Sequence, residues 1–533
     1  MDPRSDYSLV LAFVAPVGVD LAIAEAAVER KLVSCGYHVV RIRVTRDVLP
    51  KLDPTLLRSF AGEYERFNAM MDAGNVAREN HGNSIIALGV AAAISLKRRE
   101  LKNHSEKVAY FVHSLKHPDE VRLLRKIYSN AFYLIGVHAR SEDRKSYLIS
   151  NRNIFESEAR KLMDRDKKES KKHGQRLIDT YHLSDFFVGW RFHENQRYLE
   201  FLENNVERFL EIIFGHPNRT PTFGEYAMFH AFSAALRSAD LSRQVGAVIT
   251  RNREILGTGA NDCPRAGGGL YWPTLSRDTL KFEDHPQGRD WTRGVDGNRR
   301  SLKDMKIGVL SAAKAEFEEV VAGAFQGDAD EVQKRKRMGG ELIRRLSKVL
   351  DSSPIDDLTE FGRMVHAEME ALLSCARKGV STKDSTLFST TFPCHNCAKH
   401  IVASGVKKVV FVEPYLKSKA SKMHSDSIAI TFADPVGDES QDESESSGPT
   451  LVRFEPFVGV GPRRFFDLFS MNLGVGDPML RKDDETGNAK TWNPSDAKPR
   501  IGIGVDSFLD REESAAEIFQ DLTLKTGLLG AQD

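Results

Sequence analysis

Residues 386–415 read TLFSTTFPCHNCAKHIVASGVKKVVFVEPY and predict an apolar strand, a helix and a second apolar strand. Two residues separate Cys394 from Cys397, a spacing that lets both thiolates face one metal ion from the first turn of the helix. Pro393 suits a helix start because its missing N–H needs no partner there. The partial positive charge of a helix N-terminus also favours the thiolate form of cysteine. This stretch therefore predicts a metal-binding helix start between two strands.

Residues 366–368, upstream of the cysteine pair, read His-Ala-Glu. The two segments together form H-x-E…P-C-x-x-C, the signature of zinc-dependent nucleobase deaminases. A catalytic Zn²⁺ takes three protein ligands and keeps one position for water, so His366, Cys394 and Cys397 are the predicted ligands. Zinc lowers the pKa of bound water to about 7. Glu368 is the predicted catalytic residue, which takes the water's proton, delivers it to ring N3 and later protonates the amine that leaves C4.

The same cysteines also allow a structural zinc site or a redox pair. A closed structural site needs a fourth ligand, and Cys375 and Cys263 are candidates for it. A redox pair needs no H-x-E segment. The order of apolar strand, cysteine pair and upstream His-Ala-Glu favours the catalytic interpretation, in which His395 and His400 lie on the helix surface.

Composition excludes several classes of protein. Among 533 residues, 76 Lys and Arg stand against 75 Asp and Glu, a net charge of +1 that gives no global basic field for nucleic acid or an anionic membrane. Five sparse cysteines argue against a disulfide framework and for a reducing cytoplasm. The apolar stretch 8–15 is too short to span a bilayer and resembles a buried strand rather than a signal peptide. We therefore predict a cytoplasmic protein without a membrane partner.

The chain alternates strand-like and helix-like segments from about residue 7 to 194, a pattern that favours a parallel sheet with helices on both faces. The predicted strands here are 8–15, 37–44, 108–113 and 132–138. A helix over 197–214 is interpreted as a connector. A second αβ series runs from about 222 to 432, interrupted by a polar, helical insertion. Residues 437–448 contain no apolar side chain and predict a disordered linker.

The segments 366–379, 386–415 and 235–266 resemble the deoxycytidylate deaminase family. The resemblance implies that Asn261 binds the nucleoside through a sugar hydroxyl or the base edge, and that Tyr415 lines the pocket. A buried turn asparagine and a core aromatic are the alternatives for these two residues. Glu370 stands where relatives often carry Asn, so this chain departs from the family pattern there.

The whole chain is more specifically similar to bacterial anti-phage dCTP deaminases, through FVAPVGVDLA, SLKHPDEVRLLRKIYSNAFYLIGVHA, LSDFFVG, GGGLYW and RFEPFVGVGPRRFFDLF. The implied fold is α/β: a degenerate P-loop NTPase-like parallel-sheet domain followed by a cytidine-deaminase-like α/β/α domain with a long insertion. The predicted boundaries are 1–196 for the P-loop-kinase-like domain, 197–221 for the helical connector, 222–475 for the deaminase domain with its insertion at about 273–358 and linker at about 437–448, and 476–533 for a C-terminal extension.

The implied activity is hydrolysis of deoxycytidine nucleotides, dCTP and/or dCMP, to deoxyuridine nucleotides and ammonia, which depletes the dCTP pool during phage infection. The alternative is a cytosine deaminase acting on RNA or single-stranded DNA, which usually shows a basic groove with interleaved aromatics. A nucleotide needs only a compact basic cluster, and surface solvation is the other interpretation of each arginine. The candidates are Arg243 and Arg265, with Arg237, Arg463 and Arg464 as further members.

The first strand leads into Ala15-Pro16-Val17-Gly18-Val19-Asp20, which lacks the Lys and Ser/Thr of a working phosphate loop. An Asp at the head of the helix repels a phosphate. We therefore predict no kinase activity, and Gly18 is the one residue retained as a candidate for nucleotide binding. The domain is interpreted as a scaffold or a regulatory site on which a nucleotide, RNA or protein inhibitor acts. The resemblance also implies a homo-oligomer.

Overall fold

The structure is a computed structural model. It describes residues 8–101, 107–167, 174–192, 196–324, 329–351, 353, 355, 358, 360–413, 419–432, 451–471, 479–481, 483, 490–499 and 505–529. Tyr415 and the predicted linker at 437–448 lie outside the described residues. No helix within the described ranges is both long and apolar enough to cross a bilayer.

The described residues form fourteen β-strands, most of them short. They are β1 Leu9–Val14, β2 His38–Arg43, β3 Val108–His113, β4 Phe132–His138, β5 Phe186–Gly189, β6 Gly246–Arg251, β7 Glu254–Ala260, β8 Thr274–Leu275, β9 Phe282–Glu283, β10 Thr386–Ser389, β11 Lys408–Phe411, β12 Ile428–Ile430, β13 Val452–Pro456 and β14 Gly459–Val460.

Eighteen α-helices connect or flank these strands in the part of the chain that the structure describes. They are α1 Leu21–Ser34, α2 Leu49–Leu52, α3 Glu63–His81, α4 Ile85–Glu100, α5 Pro118–Tyr128, α6 Ser141–Arg152, α7 Glu156–Lys167, α8 Leu177–Tyr181, α9 Gln196–Ile213, α10 Phe223–Ala235, α11 Asp290–Arg293, α12 Gly297–Ala324, α13 Ala329–Asp351, α14 Ala367–Arg377, α15 His395–Ala403, α16 Ala420–Met423, α17 Phe465–Phe469 and α18 Val505–Leu529.

The first sheet has the strand order β14-β5-β4-β1-β3-β2. Strands β1 to β5 pair in parallel, with β1 in the middle between β3 and β4. Every residue of β1 and of β4 is buried, because helices cover both faces of a parallel sheet. The prediction of a parallel α/β sheet in the first part of the chain is thereby confirmed.

The second sheet has the order β12-β13-β11-β10-β6-β7. Its strands β10, β11, β13 and β12 pair in parallel, and α15 connects β10 to β11 as the sequence predicts. This strand–helix–strand unit places the start of α15 after the carboxyl end of β10. Open α/β sheets bind their ligands at that edge.

Two elements from beyond residue 450 belong structurally with the first sheet. Strand β14 pairs antiparallel with β5. Helix α18 packs on α4, where Arg98 lies 3.1 Å from Glu512, and the Phe508 ring lies 6.2 Å from that of Tyr128. The late part of the chain thus completes the layers around β1–β5.

The chain separates into two compact units. The first comprises Met1–Phe232, Thr250–Ile255 and Lys383–Asp533, and the second comprises Ser233–Ile249 and Leu256–Thr382. The predicted insertion lies in the second unit, where it forms the β8–β9 hairpin and the helices α11, α12 and α13.

Candidate metal centre and active site

His366 lies at the start of α14, a helix of the second unit. Its backbone is extended, with φ −69° and ψ 154°, and it is the N-cap residue. Glu368 lies in the first turn and is only 3% exposed. Helix α14 approaches β7 closely because Gly257 and Gly259 have no side chains: a Cβ at position 259 would lie 2.1 Å from the Ala367 carbonyl oxygen. The two glycines therefore set the position of the helix that carries His366 and Glu368.

Cys394 and Cys397 lie at the start of α15, in the first unit. Cys394 is the N-cap residue, and its Sγ accepts a hydrogen bond from the backbone N–H of Cys397 at 3.4 Å. Cys397 is fully buried. Pro393 precedes the cap, where a proline costs no helical hydrogen bond. An N–H donated to sulfur and the positive end of the helix both stabilise a thiolate, the form of cysteine that binds metal.

One donor atom from each of His366, Cys394 and Cys397 lies within 4.8 Å of the other two. Ligands held about 2.0–2.3 Å from one zinc ion in a tetrahedron lie within about 4 Å of one another, so small side-chain rotations suffice to fit the group to Zn²⁺. One imidazole and two thiolates also match the ligand chemistry of this ion. The donor set therefore fits zinc.

The two cysteines considered as a fourth ligand lie in other surroundings. Cys375 is nine residues beyond His366, which is about 13 Å along the axis of α14. Its Sγ faces Gly257 of β7: a Cβ added to that glycine would lie 2.7 Å from the sulfur. Cys263 Sγ lies 3.6 Å from Asp290 Oδ1, and burial raises the pKa of this thiol to about 11. Neither joins the ligand group among the described residues. Three protein ligands with an open position correspond to a catalytic zinc site rather than a closed structural one.

The helix-surface interpretation of the other two histidines holds for His400, which is exposed and whose Nδ1 lies 2.7 Å from the Asn396 carbonyl oxygen. His395 is half-buried. Glu370, on the same helix as Glu368, is buried and paired with Arg377 at 2.6 Å. That ion pair orients Glu370 along its own helix.

Asn261 is buried at the end of β7, and its side chain holds the turn that precedes β6. Its Nδ2 donates to Asp240 Oδ2 at 3.0 Å and to the Arg243 carbonyl oxygen at 2.9 Å, while its Oδ1 accepts from the Val245 N–H at 2.7 Å. Both amide hydrogens are thus used within the protein. These bonds agree with the alternative of a buried turn asparagine, and nucleoside recognition by Asn261 stays a prediction.

The predicted basic cluster is only partly assembled in the second unit. Arg243 and Arg265 are exposed, and Arg265 Nε donates to the Gly268 carbonyl oxygen at 3.2 Å. Arg237 is half-buried beneath Trp272, with its guanidinium 3.7 Å from the ring centroid. Burial lowers the pKa of Arg237, which remains a cation at neutral pH.

Sequence reasoning missed Arg289, a buried arginine of the predicted insertion. Its guanidinium lies 3.3 Å from the carboxylate of Asp262 and 2.9 Å from that of Asp284, and it donates to the Tyr271 carbonyl oxygen at 2.7 Å. Arg237 donates to the same carbonyl oxygen at 2.9 Å. The insertion therefore supplies a second cation beside residues 261–263. Only a contact between distant segments reveals this role, so the sequence carried no signal for it.

Arg463 and Arg464 lie with the first sheet's elements. Arg464 is buried, 3.3 Å from Asp185, and donates to the Phe132 carbonyl oxygen at 2.9 Å. The Arg463 guanidinium lies 5.6 Å from the Phe232 ring centroid. The contacts of Arg464 therefore stabilise the first sheet.

Gly18 lies in the loop between β1 and α1 with φ +87°, a conformation that favours glycine. A Cβ there would lie 2.8 Å from the Arg144 carbonyl oxygen. The neighbouring Val17 N–H donates to the buried carboxylate of Asp166 at 2.8 Å, and Lys116 lies 3.1 Å from that carboxylate. Asp20 caps α1 by accepting from the Ala22 N–H at 3.0 Å. The buried Asp166 carboxylate thus already accepts the hydrogen bond of the Val17 N–H in this loop.

Comparison with known proteins identifies the family that this domain resembles. The profile of the cytidine and deoxycytidylate deaminase zinc-binding region matches residues 221–413. The deoxycytidylate deaminase of Enterobacteria phage T4 is 47% identical over 189 residues, which cover 36% of this chain and 77% of that protein. ComE operon protein 2 of Bacillus subtilis is 41% identical over 61 residues, 11% of this chain and 31% of that protein.

Among solved structures, the dCMP deaminase of cyanophage S-TIM5 in complex with dCMP and dUMP is 18% identical and has a TM-score of 0.20. The match covers 39% of this chain and 93% of that one.

The His-Cys-Cys group, the buried glutamate beside it and the matched profile define a zinc-binding deaminase domain, with Zn²⁺ as its cofactor. The chain belongs to the cytidine and deoxycytidylate deaminase family.

Proposed function

We propose that the protein is a zinc-dependent hydrolytic deaminase that converts dCTP and/or dCMP to the deoxyuridine nucleotide and ammonia. The observation that carries the proposal is the group formed by His366, Cys394 and Cys397 at the starts of two helices, together with the buried Glu368. Three ligands leave the open position that hydrolysis requires.

In this proposal the three ligand residues hold Zn²⁺, which when bound makes hydroxide available from water near neutral pH. The Glu368 carboxylate accepts the water's proton and delivers it to N3 of the cytosine ring. After the new C4–O bond has formed, the carboxylate takes the proton of the C4 hydroxyl group and passes it to the amine, so that the C4–N bond breaks, ammonia departs and C4 becomes the carbonyl carbon of the product. The burial of Glu368 keeps bulk water from competing for that proton.

A nucleotide substrate is favoured over a polynucleotide by charge. The chain carries a net charge of +1, whereas a polymer-binding protein usually presents a basic groove. The exposed Arg243 and Arg265 supply cations that a nucleotide phosphate can approach, whereas Arg289 is already paired with Asp262 and Asp284. The name of the matched phage T4 relative, a deoxycytidylate deaminase, supports the same substrate class. A cytosine deaminase of RNA or single-stranded DNA is the second candidate.

The proposal includes the first unit's role. The loop at Gly18 lacks Lys and Ser/Thr, and Asp166 occupies the Val17 N–H, so we expect no kinase activity from this degenerate P-loop-like domain. A dCTP deaminase that was always active would deplete a precursor of the host's own DNA. We therefore propose that an inhibitor acts through this domain, that the enzyme serves in anti-phage defence, and that it assembles as a homo-oligomer.

The test is release of ammonia and uracil nucleotide from dCTP, dCMP, CTP and deoxycytidine by the purified full chain. Glu368→Gln keeps the side chain's size and removes its basicity, and Glu254→Gln is the matched control because Glu254 is exposed. Turnover of dCTP or dCMP, lost at least about 10³-fold in Glu368→Gln and unchanged in Glu254→Gln, supports the proposal. Deamination of single-stranded RNA or DNA with no turnover of any nucleotide overturns it.

A further inference from the structure

A cleft of about 180 Å³ opens at the carboxyl edge of the first sheet. Three segments line it: the start of α1 after β1, helix α6 after β4, and residues 190–192 after β5. Open α/β sheets bind ligands in the crevice at this edge. The cleft has no part in the proposed deamination, and its position alone marks it as a candidate binding site.

One wall of the cleft is aromatic. The ring of Tyr147 meets the ring of Trp190 edge to face at 5.5 Å and that of Phe192 at 6.1 Å. Trp190 is 1% exposed, and within the described residues its buried indole N–H has no acceptor. Phe192 is half-buried, so its ring offers a surface on which a planar heterocycle can stack, with the buried Tyr147 and Trp190 packed behind it.

The acceptors that line the cleft suit a donor on the ligand, and the Trp190 N–H and the Arg191 guanidinium suit an acceptor beside that donor. The Asp20 carboxylate accepts from the Ala22 N–H and also interacts with the Tyr147 hydroxyl, and the roughly four lone-pair sites of a carboxylate leave room for a ligand N–H. Asn151, exposed on α6, offers an amide that can both donate and accept. A carboxylate and an amide are the groups that recognise exocyclic amino groups of cytosine and adenine.

The loop beside the cleft offers little to a phosphate. The Val17 N–H is bonded to Asp166, Gly18 lies against the backbone of Arg144, and the Asp20 carboxylate stands at the head of α1. A phosphate in this loop would meet two carboxylates instead of free backbone donors. Arg191, a cation among the residues that line the cleft, has its guanidinium over the rings of Tyr198 and Phe432, 5.5 and 5.0 Å from their centroids. The cleft is also smaller than the roughly 300–1,000 Å³ of sites for drug-sized ligands, so it suits one ring system.

We propose that this cleft binds a nucleobase that carries an exocyclic amino group, as the base or its nucleoside, without engaging a triphosphate. The aromatic wall contacts the ring, and Asp20 and Asn151 pair with its amino edge. The first unit thereby senses a nucleoside although its phosphate loop is degenerate. This site is independent of the zinc centre, so it stands or falls separately from the proposed deamination.

The test is isothermal titration of the full chain with adenosine, adenine, uridine and ATP with Mg²⁺, in the presence of saturating dUMP, the proposed product, which occupies the deaminase site and carries no exocyclic amino group that could compete for the cleft. We expect adenosine to bind at least about fivefold more tightly than uridine, and ATP no more tightly than adenosine. Asn151→Ala should weaken adenosine binding at least about fivefold. Ser150→Ala is the matched control, because Ser150 is exposed one position away and does not line the cleft.

Three results would overturn the proposal. The first is no heat of binding with adenine or adenosine up to millimolar concentration in protein that melts cooperatively. The second is adenosine affinity unchanged by Asn151→Ala. The third is ATP bound at least tenfold more tightly than adenosine in a Mg²⁺-dependent manner, which would show a working phosphate loop.

Discussion

Replacing Gly259 with alanine should displace the helix that carries two of the active-site residues. A Cβ at this position would lie 2.1 Å from the Ala367 carbonyl oxygen and 2.4 Å from the Ala371 backbone nitrogen. Both colliding atoms belong to the backbone of α14, so no side-chain rotation relieves the contact. Restoring a separation of about 3 Å requires a shift of roughly 1 Å in α14 or β7.

The expected losses of stability and of catalytic rate follow from that shift. Overpacking against rigid backbone costs about 3 kcal/mol. For a unit of this size that corresponds to a melting temperature lower by about 6–12 °C. A displacement of about 1 Å at a catalytic group costs about 10²-fold in rate, and His366 and Glu368 both move with the start of α14.

The assay combines thermal denaturation, zinc content and the deamination rate of purified Gly259→Ala. Thr258→Ala is the matched control, because Thr258 is exposed on the same strand and should leave all three quantities unchanged. A second comparison uses Gly257→Ala, whose added Cβ would meet the Cys375 Sγ at 2.7 Å. Because that clash involves a side chain, Cys375→Ala should largely rescue Gly257→Ala.

Wild-type stability together with a wild-type rate in Gly259→Ala would refute the reasoning. It would mean that α14 has room to move without carrying His366 and Glu368 out of place. A fall in stability with an unchanged rate would refute only the link between the position of α14 and catalysis.

Two further predictions concern the metal and the pH dependence. His366→Ala removes one of three donor atoms, so its zinc content measured by mass spectrometry should fall at least tenfold. Lys399→Ala, on the exposed face of α15, is the control and should retain zinc. Full zinc content in His366→Ala would contradict the ligand assignment. Burial, and then the nearby Arg144 guanidinium, lowers the pKa of His138 to about 3. Since histidine in the unfolded chain has a pKa of about 6.5, the free energy of unfolding should fall by up to about 1.4 kcal/mol per pH unit as the pH drops from about 6.5 towards 3. Chemical denaturation between pH 6.5 and 4.5 gives the slope of the unfolding free energy against pH. This slope should be smaller by about one proton in His138→Asn and unchanged in the exposed His400→Asn. Equal slopes in the two variants would contradict the assignment.

Much of the fold follows from local pattern. The predicted strands at 108–113 and 132–138 coincide with β3 and β4, because an apolar run bounded by polar turns has few other ways to bury its side chains. The Cys394–Cys397 spacing likewise fixes two ligands relative to each other, since both lie in one helical turn. The strand–helix–strand order around them was predictable for the same reason.

The contacts of individual side chains were not predictable in the same way. Nucleoside binding by Asn261 stays a prediction, and nothing in the sequence indicated that its amide hydrogens bond to Asp240 and to the Arg243 backbone. Arg289 was assigned only to an insertion, yet it is buried against Asp262. Each of these contacts joins residues about twenty or more positions apart, and sequence spacing carries no distance information at that range.

The sequence by itself determined the parallel α/β character of the first part of the chain, the zinc ligand set and the family, because these rest on short-range periodicity and on ligand chemistry within a few residues. The tertiary structure alone decided that β14 and α18 complete the first sheet's layers, that glycines in β7 set the approach of α14, and that Asp166 occupies the Val17 N–H. The physical reason is that burial and hydrogen-bond pairing between distant segments depend on which surfaces meet when the whole chain folds.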